Sequence, residues 1–222
     1  KTPLEIRLLR EAGRITDLAF DTIRAEIRPG ITEFEVAARL SFLIQQSGAG
    51  LAFEPTVVSG NDHPIAIRMP TSRKLEPGDS VMIDIGAMYQ GYQADAARTF
   101  VLGQPNQYQV KVWDVIRRAY DAAFEQIRPG VPCRNVHQAA ISVIEGAGYR
   151  LVHRIGHGLG LAASFEWPSL DTDPTPLEPG MVFCIEPGIY TPGAGDMKLE
   201  DDVVVTETGY ELLNHSSHEL LV

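Results

Sequence analysis

Asp84, Asp95, His157, Glu186 and Glu200 are the side chains of this 222-residue chain whose types and settings could hold cations. Asp84 lies inside the apolar phrase VMIDIGA, Glu186 inside VFCIEPG, and Glu200 opens LEDDVVV. A carboxylate in an apolar strand is costly to bury unless it is paired or metal-bound. Asp95 follows Asp84 by 11 residues, beyond a turn at Gly91-Tyr92, and a hairpin would set the two side by side. His157, in GHGLG, adds one nitrogen on a glycine-rich stretch where backbone can approach closely. An oxygen-rich set with one imidazole suits two divalent ions of the Mn, Co, Fe or Zn kind. Two such ions ~3.5–4 Å apart support metal-assisted hydrolysis of a carbonyl. The competing reading is a set of salt bridges to Arg98, Arg154 or Lys198, but buried ion pairs seldom stabilise more than apolar residues would.

The elements that must position these groups come in two copies. KLEPGDSVMIDIG at 74–86 and PLEPGMVFCIEPG at 176–188 share a phrase, and the 102-residue shift that superposes Leu75 on Leu177 also superposes Asp84 on Glu186. IRPG recurs at Ile27 and Ile127, 100 residues apart. Each copy reads as a helix, an Arg-Pro-Gly turn, a second helix, then strands. Apolar periodicity predicts helices over about 4–27, 32–47, 107–127 and 134–147. Thr32 and Glu35 have capping-box spacing, and the glycines of GAG at 48–50 and GAGY at 146–149 close the second helices. Strand-like runs follow: FEPTVVSG, SVMIDIGAMYQGYQADAARTFVLG, RLVHRIGHGLGL, VFCIEPGIYTPG and KLEDDVVVTETG. The expected fold is α+β: two pseudo-symmetric halves, each a helix pair backing antiparallel strands. The repeat covers roughly 4–103 and 107–210, within a single domain over 1–222.

Composition narrows the function. With 19 Lys and Arg against 29 Asp and Glu the net charge is −10, which repels phosphate backbones and argues against a nucleic-acid partner. No apolar run approaches the ~18 residues of a membrane helix, so no membrane partner is expected. Cys133 and Cys184 are far apart, without metal-site spacing, and fit a reducing cytoplasm. Cys184 shares a strand face with Glu186 by alternation, which would set it near the metals, but it reads best as a small core residue. Trp167, between Glu166 and Pro168, reads as a pocket wall. His153, four residues before His157, reads as structural or as backing the ligands.

IDIGAMYQGYQADAARTF, HRIGHGLG, FCIEPGIY and KLEDDVVVTETG, in this order, resemble the catalytic domain of the pita-bread metallopeptidases. That family includes methionine aminopeptidase, aminopeptidase P, prolidase and the non-peptidase creatinase. The resemblance covers essentially the whole chain. TPLEIRLLREAGRI and CIEPGIY bring it nearest the prolidase and aminopeptidase P branch, whose members usually carry an N-terminal domain, expected here ahead of Lys1. The resemblance implies a pita-bread fold and five metal ligands. Asp84 would bind one ion, His157 and Glu186 the other, and Asp95 and Glu200 both. It also implies hydrolysis of Xaa-Pro peptide bonds, by a dipeptidase or an aminopeptidase, through a metal-bridging hydroxide with Glu186 carrying a proton. Tyr92 and Arg98 would support the carboxylates. Mn²⁺ is the expected metal, with Co²⁺, Fe²⁺ or Zn²⁺ as alternatives, the substrate a short proline-containing peptide, and the assembly a homodimer.

The chain also departs from the family's pattern. A substrate-binding histidine is expected 17 residues before the first ligand, where this chain has Ile67, and the nearby candidate is His63, 21 residues before Asp84. A second histidine is expected seven residues after His157, where Ser164 stands; alignment on Glu166-Trp167-Pro168 brings Phe165 there instead. Lys198 replaces the usual arginine two residues before Glu200, keeping the charge without the bidentate fork. These departures admit two other readings: a creatinase-like hydrolase of a small C–N substrate, and a catalytically weak or silent homologue that binds metal and a partner.

Overall fold

A computed structural model describes residues 1–62, 64–66, 68–162 and 166–221. The first half runs α1 (Pro3–Glu26), α2 (Glu33–Gln46), β1 (Gly50–Leu51), β2 (Thr56–Ser59), β3 (Ser80–Ile85), β4 (Ala87–Tyr89), β5 (Tyr92–Gln93) and β6 (Ala96–Val101). The second runs α3 (Gln107–Phe124), α4 (Cys133–Gly146), β7 (Gly156–Gly158), β8 (Val182–Ile185), β9 (Gly188–Thr191), β10 (Gly195–Lys198), β11 (Asp201–Val205) and β12 (Tyr210–Leu212).

The helices begin where local chemistry permits. Thr2 and Thr32 each cap a helix through a full capping box, with Glu5 and Glu35 reaching back to the cap N–H. Asn106 and Gln109 do the same for α3. The first helices of both pairs stop short of the expected ends. Prolines at 29 and 129 disfavour helical backbone at Arg28 and Arg128, and α1 and α3 close at Glu26 and Phe124. Gly48 and Gly148 take left-handed backbone (φ +82° and +85°) just beyond α2 and α4, as a glycine C-cap requires.

Each helix pair covers its own strands. Ile15, Phe20, Leu40, Ile44, Ile83 and Phe100 form one buried cluster, and Val112, Ile116, Ile144, Phe183, Ile185 and Val203 form another. The strands make an antiparallel sheet in the order β2-β3-β6 and another in the order β12-β11-β8-β7, with smaller groups β1-β4-β5 and β10-β9. A bridge between Ala97 and Glu200 joins the halves. The α+β expectation holds, with shorter strands: only Gly156–Gly158 of the predicted run at 150–161 pairs as a strand. The expected turn at Gly91-Tyr92 falls one residue earlier. Gln90 and Gly91 both have positive φ, the mark of a type I′ hairpin, and this hairpin of β4 and β5 is an excursion between the longer partners β3 and β6. Among the described residues, no helix is long and apolar enough to cross a membrane.

Candidate metal centre

Register brings the five predicted groups together. In the β3–β6 ladder Asp84 stands opposite Ala97. On its other side Ala97 accepts a 3.0 Å hydrogen bond from the Glu200 N–H, so Asp84 and Glu200 flank one residue. Asp95 lies two residues before Ala97, and its N–H donates to Asp202 Oδ2 at 2.9 Å. In the second half His157 stands opposite Cys184. Glu186 follows two residues later, with its N–H donating to Ile155 O at 2.6 Å.

Asp95, His157, Cys184 and Glu200 each present a donor atom within 4.8 Å of the others. His157 Nε2 lies 3.6 Å from Asp95 Oδ2, 3.8 Å from Glu186 Oε1 and 3.1 Å from Cys184 Sγ. Its Nδ1 lies 3.2 Å from Gly158 O. A carbonyl only accepts, so this contact puts the ring proton on Nδ1 and leaves the Nε2 lone pair facing the acids, the tautomer a metal ligand needs. On the other side of the cluster Lys198 Nζ lies 2.8 Å from Asp84 Oδ2, 2.7 Å from Glu186 Oε2 and 2.9 Å from Glu200 Oε2.

Burial and mutual repulsion divide the carboxylates. Burial, with the charges of Glu200 and Asp84 beside it, holds the Asp95 carboxyl well above the usual range. Burial likewise pushes Glu200 up to about 8, with Lys198 opposing. Glu186 is equally buried, yet its carboxyl is lowered because Lys198, His153 and His157 outweigh the desolvation. Burial lowers His157 and favours the neutral ring.

Asp84 Oδ1 and Glu200 Oε1 are buried without a hydrogen-bond partner, whereas Glu200 Oε2 meets Lys198 Nζ at 2.9 Å. Buried polar atoms are normally satisfied, and oxygens aimed into a shared space beside an imidazole lone pair are what a divalent cation supplies with a partner. The residues present fit a metal.

The other expected residues fall in different places. Arg98 is 1% exposed and ties down the start of β11: Nη1 donates to Glu200 O at 2.6 Å and Nη2 to the Asp201 carboxylate Oδ1 at 2.6 Å. His153 lies behind Glu186, its Nδ1 3.9 Å from Oε2; that Nδ1 donates to Arg154 O and its Nε2 accepts from the Tyr190 hydroxyl. Tyr92, expected beside the carboxylates, instead donates its hydroxyl to Glu5 Oε1 at 3.0 Å, because the β4–β5 excursion carries it toward α1. Trp167, expected as a pocket wall, is 79% exposed. Glu166 pairs with Gly158 and Pro168 is buried, so the residue between them turns outward. His63, Ile67, Ser164 and Phe165 lie outside the described residues.

Cys184, read first as core packing and second as a neighbour of the metals, is buried and faces His157. Two contributors escaped the sequence reading. Asp202 holds the Asp95 backbone, and Tyr190 holds His153. The usable signal for Asp202 was a third acid in the run LEDDVVV, two residues after Glu200 and on the same strand face.

Comparison with known proteins agrees with this geometry. The sequence matches metallopeptidase family M24 over residues 7–207. It is 37% identical to the Xaa-Pro dipeptidase of Pyrococcus furiosus, covering 100% of this chain and 64% of that protein. It is 36% identical to the Xaa-Pro dipeptidase of Lactobacillus helveticus, covering 100% and 61%. The chain thus spans less than two thirds of these relatives' length. Its structure superposes on the Xaa-Pro dipeptidase of Bacillus anthracis with a TM-score of 0.95 at 36% identity, over 100% of this chain and 64% of that one. On Escherichia coli aminopeptidase P the TM-score is 0.89 at 28% identity, over 96% and 56%. The fold is the pita-bread fold, and the chain belongs to metallopeptidase family M24.

Proposed function

We propose that this chain is the catalytic part of a dinuclear metal-dependent peptidase that hydrolyses Xaa-Pro bonds, as a dipeptidase or an aminopeptidase. The observation that carries the reading is the convergence of Asp84, Asp95, His157, Glu186 and Glu200, with one buried oxygen of Asp84 and one of Glu200 lacking a protein partner. Full-length similarity of the chain to Xaa-Pro dipeptidases supports the substrate class.

In this reading Asp84, Asp95, His157, Glu186 and Glu200 would hold the ions. Bound there, the ions supply an acidified water as nucleophile and a Lewis acid for the scissile carbonyl. The chain does the rest. His157 offers a neutral ring fixed by Gly158. Asp202 and Arg98 hold the backbones of Asp95 and Glu200, keeping their carboxylates aimed at one point. Glu186, whose carboxyl is the lowered one of the set, is ionised at neutral pH and able to take a proton from the attacking water and pass it to the leaving proline nitrogen. Donor chemistry favours Mn²⁺, with Co²⁺, Fe²⁺ or Zn²⁺ also compatible. Two of the buried clusters, each centred on one helix pair, support an internal duplication, and a third that sets Leu9 against Leu159, Val182, Val204 and Leu213 supports one domain. Two free, buried cysteines are in keeping with a cytoplasmic setting, and a homodimer completes the proposal.

The test is proline release from Xaa-Pro dipeptides and Xaa-Pro-Yaa tripeptides, with Mn²⁺ and with chelator. Metal-dependent release supports the reading, and the preferred length names the branch. Loaded protein that releases no proline from either series refutes it, and shifts weight to a non-peptide C–N substrate or a silent binding role.

A further inference from the structure

The Asp196 carboxylate, on β10, is buried at 2% exposure and accepts the N–H groups of two adjacent residues from the other half. Its Oδ1 lies 3.1 Å from Ile65 N and 2.9 Å from Ala66 N. Consecutive N–H groups converging on one oxygen form a nest, a backbone shape that holds anions. Ala66 has φ +69°, left-handed backbone that a residue with a Cβ adopts only at a cost, and it lies in the irregular stretch between β2 and β3. Two residues on, Arg68 grips Glu33 with both arms of its guanidinium, at 2.6 and 2.5 Å. One short stretch is thus fixed to the second half through Asp196 and to the first half through Glu33, at the start of α2. The Asp196 anchor lies beside the carboxylate cluster. Asp196 and Lys198 share a face of β10 by alternation, about 7 Å apart along the strand, and Lys198 Nζ touches Asp84, Glu186 and Glu200. Tyr190, opposite Asp196 in the β9–β10 ladder, bonds His153 behind Glu186.

We propose that Asp196 is a positioning residue: by fixing the Ile65 and Ala66 backbone it sets this stretch as a rigid rim beside the carboxylate cluster, against which the substrate peptide is held. The inference rests on the peptidase reading above. The physical reason is that two unfavourable features meet in one contact. Burial raises the Asp196 carboxyl above its ordinary value, although the Ala66 and Ile65 N–H groups and Arg68 lower it, so the ionised group is a net cost to the fold. Left-handed Ala66 is a second cost. Strain of this kind persists only where the surroundings over-determine it, and it gathers at ligand-binding sites. What the contact delivers is placement. Ile65 and Met69, 56% and 61% exposed, are the apolar groups that this rim offers a peptide.

Residue-resolved amide exchange and steady-state proline release, both on Mn²⁺-loaded protein, test this. In wild type the Ile65 and Ala66 amides should be protected. Asp196→Ala should speed their exchange and raise KM for Xaa-Pro peptides, each by about 10-fold, the scale of a lost hydrogen bond to a charged group. Its kcat should stay within about threefold, the mark of lost substrate binding rather than lost chemistry, and its Mn²⁺ content should match wild type. Asp196→Asn should restore slow exchange and low KM together, because the amide keeps Oδ1, the oxygen that accepts from both N–H groups. A merely structural aspartate would change stability and leave KM alone. Asp196→Ser, whose hydroxyl is one bond short of that oxygen, serves as a second variant should the alanine not fold. Unprotected Ile65 and Ala66 amides in wild type, or faster exchange in the variants with KM unchanged, overturns the inference and leaves the peptidase reading standing. Loss of kcat and of bound Mn²⁺ in place of the KM change assigns Asp196 to the metal centre and overturns it as well. No proline release by loaded wild type overturns both.

Discussion

Across the β7–β8 ladder, His157 Nε2 and Cys184 Sγ lie 3.1 Å apart. A buried thiol beside an imidazole lone pair is a soft donor held next to hard ones. Burial pushes the Cys184 thiol up, so metal-free protein keeps it protonated, whereas a bound soft cation deprotonates a thiol outright. Cys184→Ser should therefore weaken Cd²⁺ binding by at least about 10-fold and leave Mn²⁺ binding within about twofold, because sulfur favours soft ions. Competition titrations with both metals decide it. Equal losses for the two metals would assign Cys184 to packing alone.

Arg98 acts on stability more than on charge at the site. It is enclosed, pairs with Asp201 at 2.6 Å and holds the Glu200 and Ser216 carbonyls. Asp201 also accepts from the Tyr120 hydroxyl at 2.7 Å and lies 2.8 Å from His218 Nε2. Removing one partner of a buried pair strands the other, so Arg98→Ala should lose about 3–5 kcal/mol in urea unfolding. Arg98→Lys should recover part of it, since the charge returns without the fork. Full stability in Arg98→Ala would contradict this account.

The fold was legible where local chemistry decided it. The capping boxes, the Arg-Pro-Gly turns and the glycines after α2 and α4 each constrain a few adjacent residues, and the repeated Leu-Glu-Pro-Gly phrase put Asp84 and Glu186 in equivalent places. What the sequence concealed depends on long-range register. Tyr92 was misplaced because β4 and β5 form a hairpin of their own between β3 and β6. Asp202 reaches Asp95 from 107 residues away, a contact no local pattern announces. The alternation that sets Cys184 with Glu186 and Lys198 with Glu200 was readable, but only the packing of two sheets shows what shares the space they face.

Glu33 illustrates a group read only as part of a helix start. Its side chain is fully enclosed beside Arg68, whose Nη2 is 2.5 Å away, and it accepts from the N–H and hydroxyl of both Ser59 and Thr71. Burial alone would raise its carboxyl, but Arg68, Ser59 and Thr71 overcome this and hold it below the ordinary 4.5. A carboxyl lowered on folding contributes stability that is present above its unfolded pKa and is lost as pH falls through the folded one. Glu33→Gln should thus be less stable than wild type by about 3–5 kcal/mol at neutral pH, with the gap shrinking below pH 4.5. A gap that stays constant through the acid range would show that shape, not charge, is what Glu33 provides.

Glu200 should show the opposite sign, because its site serves a ligand rather than the fold. Its carboxyl is fully enclosed, Oε1 lacks a hydrogen-bond partner while Oε2 meets Lys198 Nζ at 2.9 Å, and burial pushes it from 4.5 up to about 8. In chelator the folded state then prefers the proton that the unfolded chain gives up near 4.5. An ionised Glu200 is a cost to the fold that begins as pH rises past 4.5 and is complete above about 8. Glu200→Gln removes that cost while keeping the shape. The metal-free variant should be the more stable protein, by a margin that widens from pH 4.5 to about 8 and then levels. Adding Mn²⁺ should reverse the ranking, since the wild type gains binding energy that the amide forfeits, and proline release should vanish with it. Melting curves of the two proteins, in chelator and in Mn²⁺ across this pH range, measure both halves. A variant that is less stable in chelator at every pH would mean that Glu200 is a structural ion-pair partner of Lys198, and a variant that still binds two ions would remove it from the ligand set.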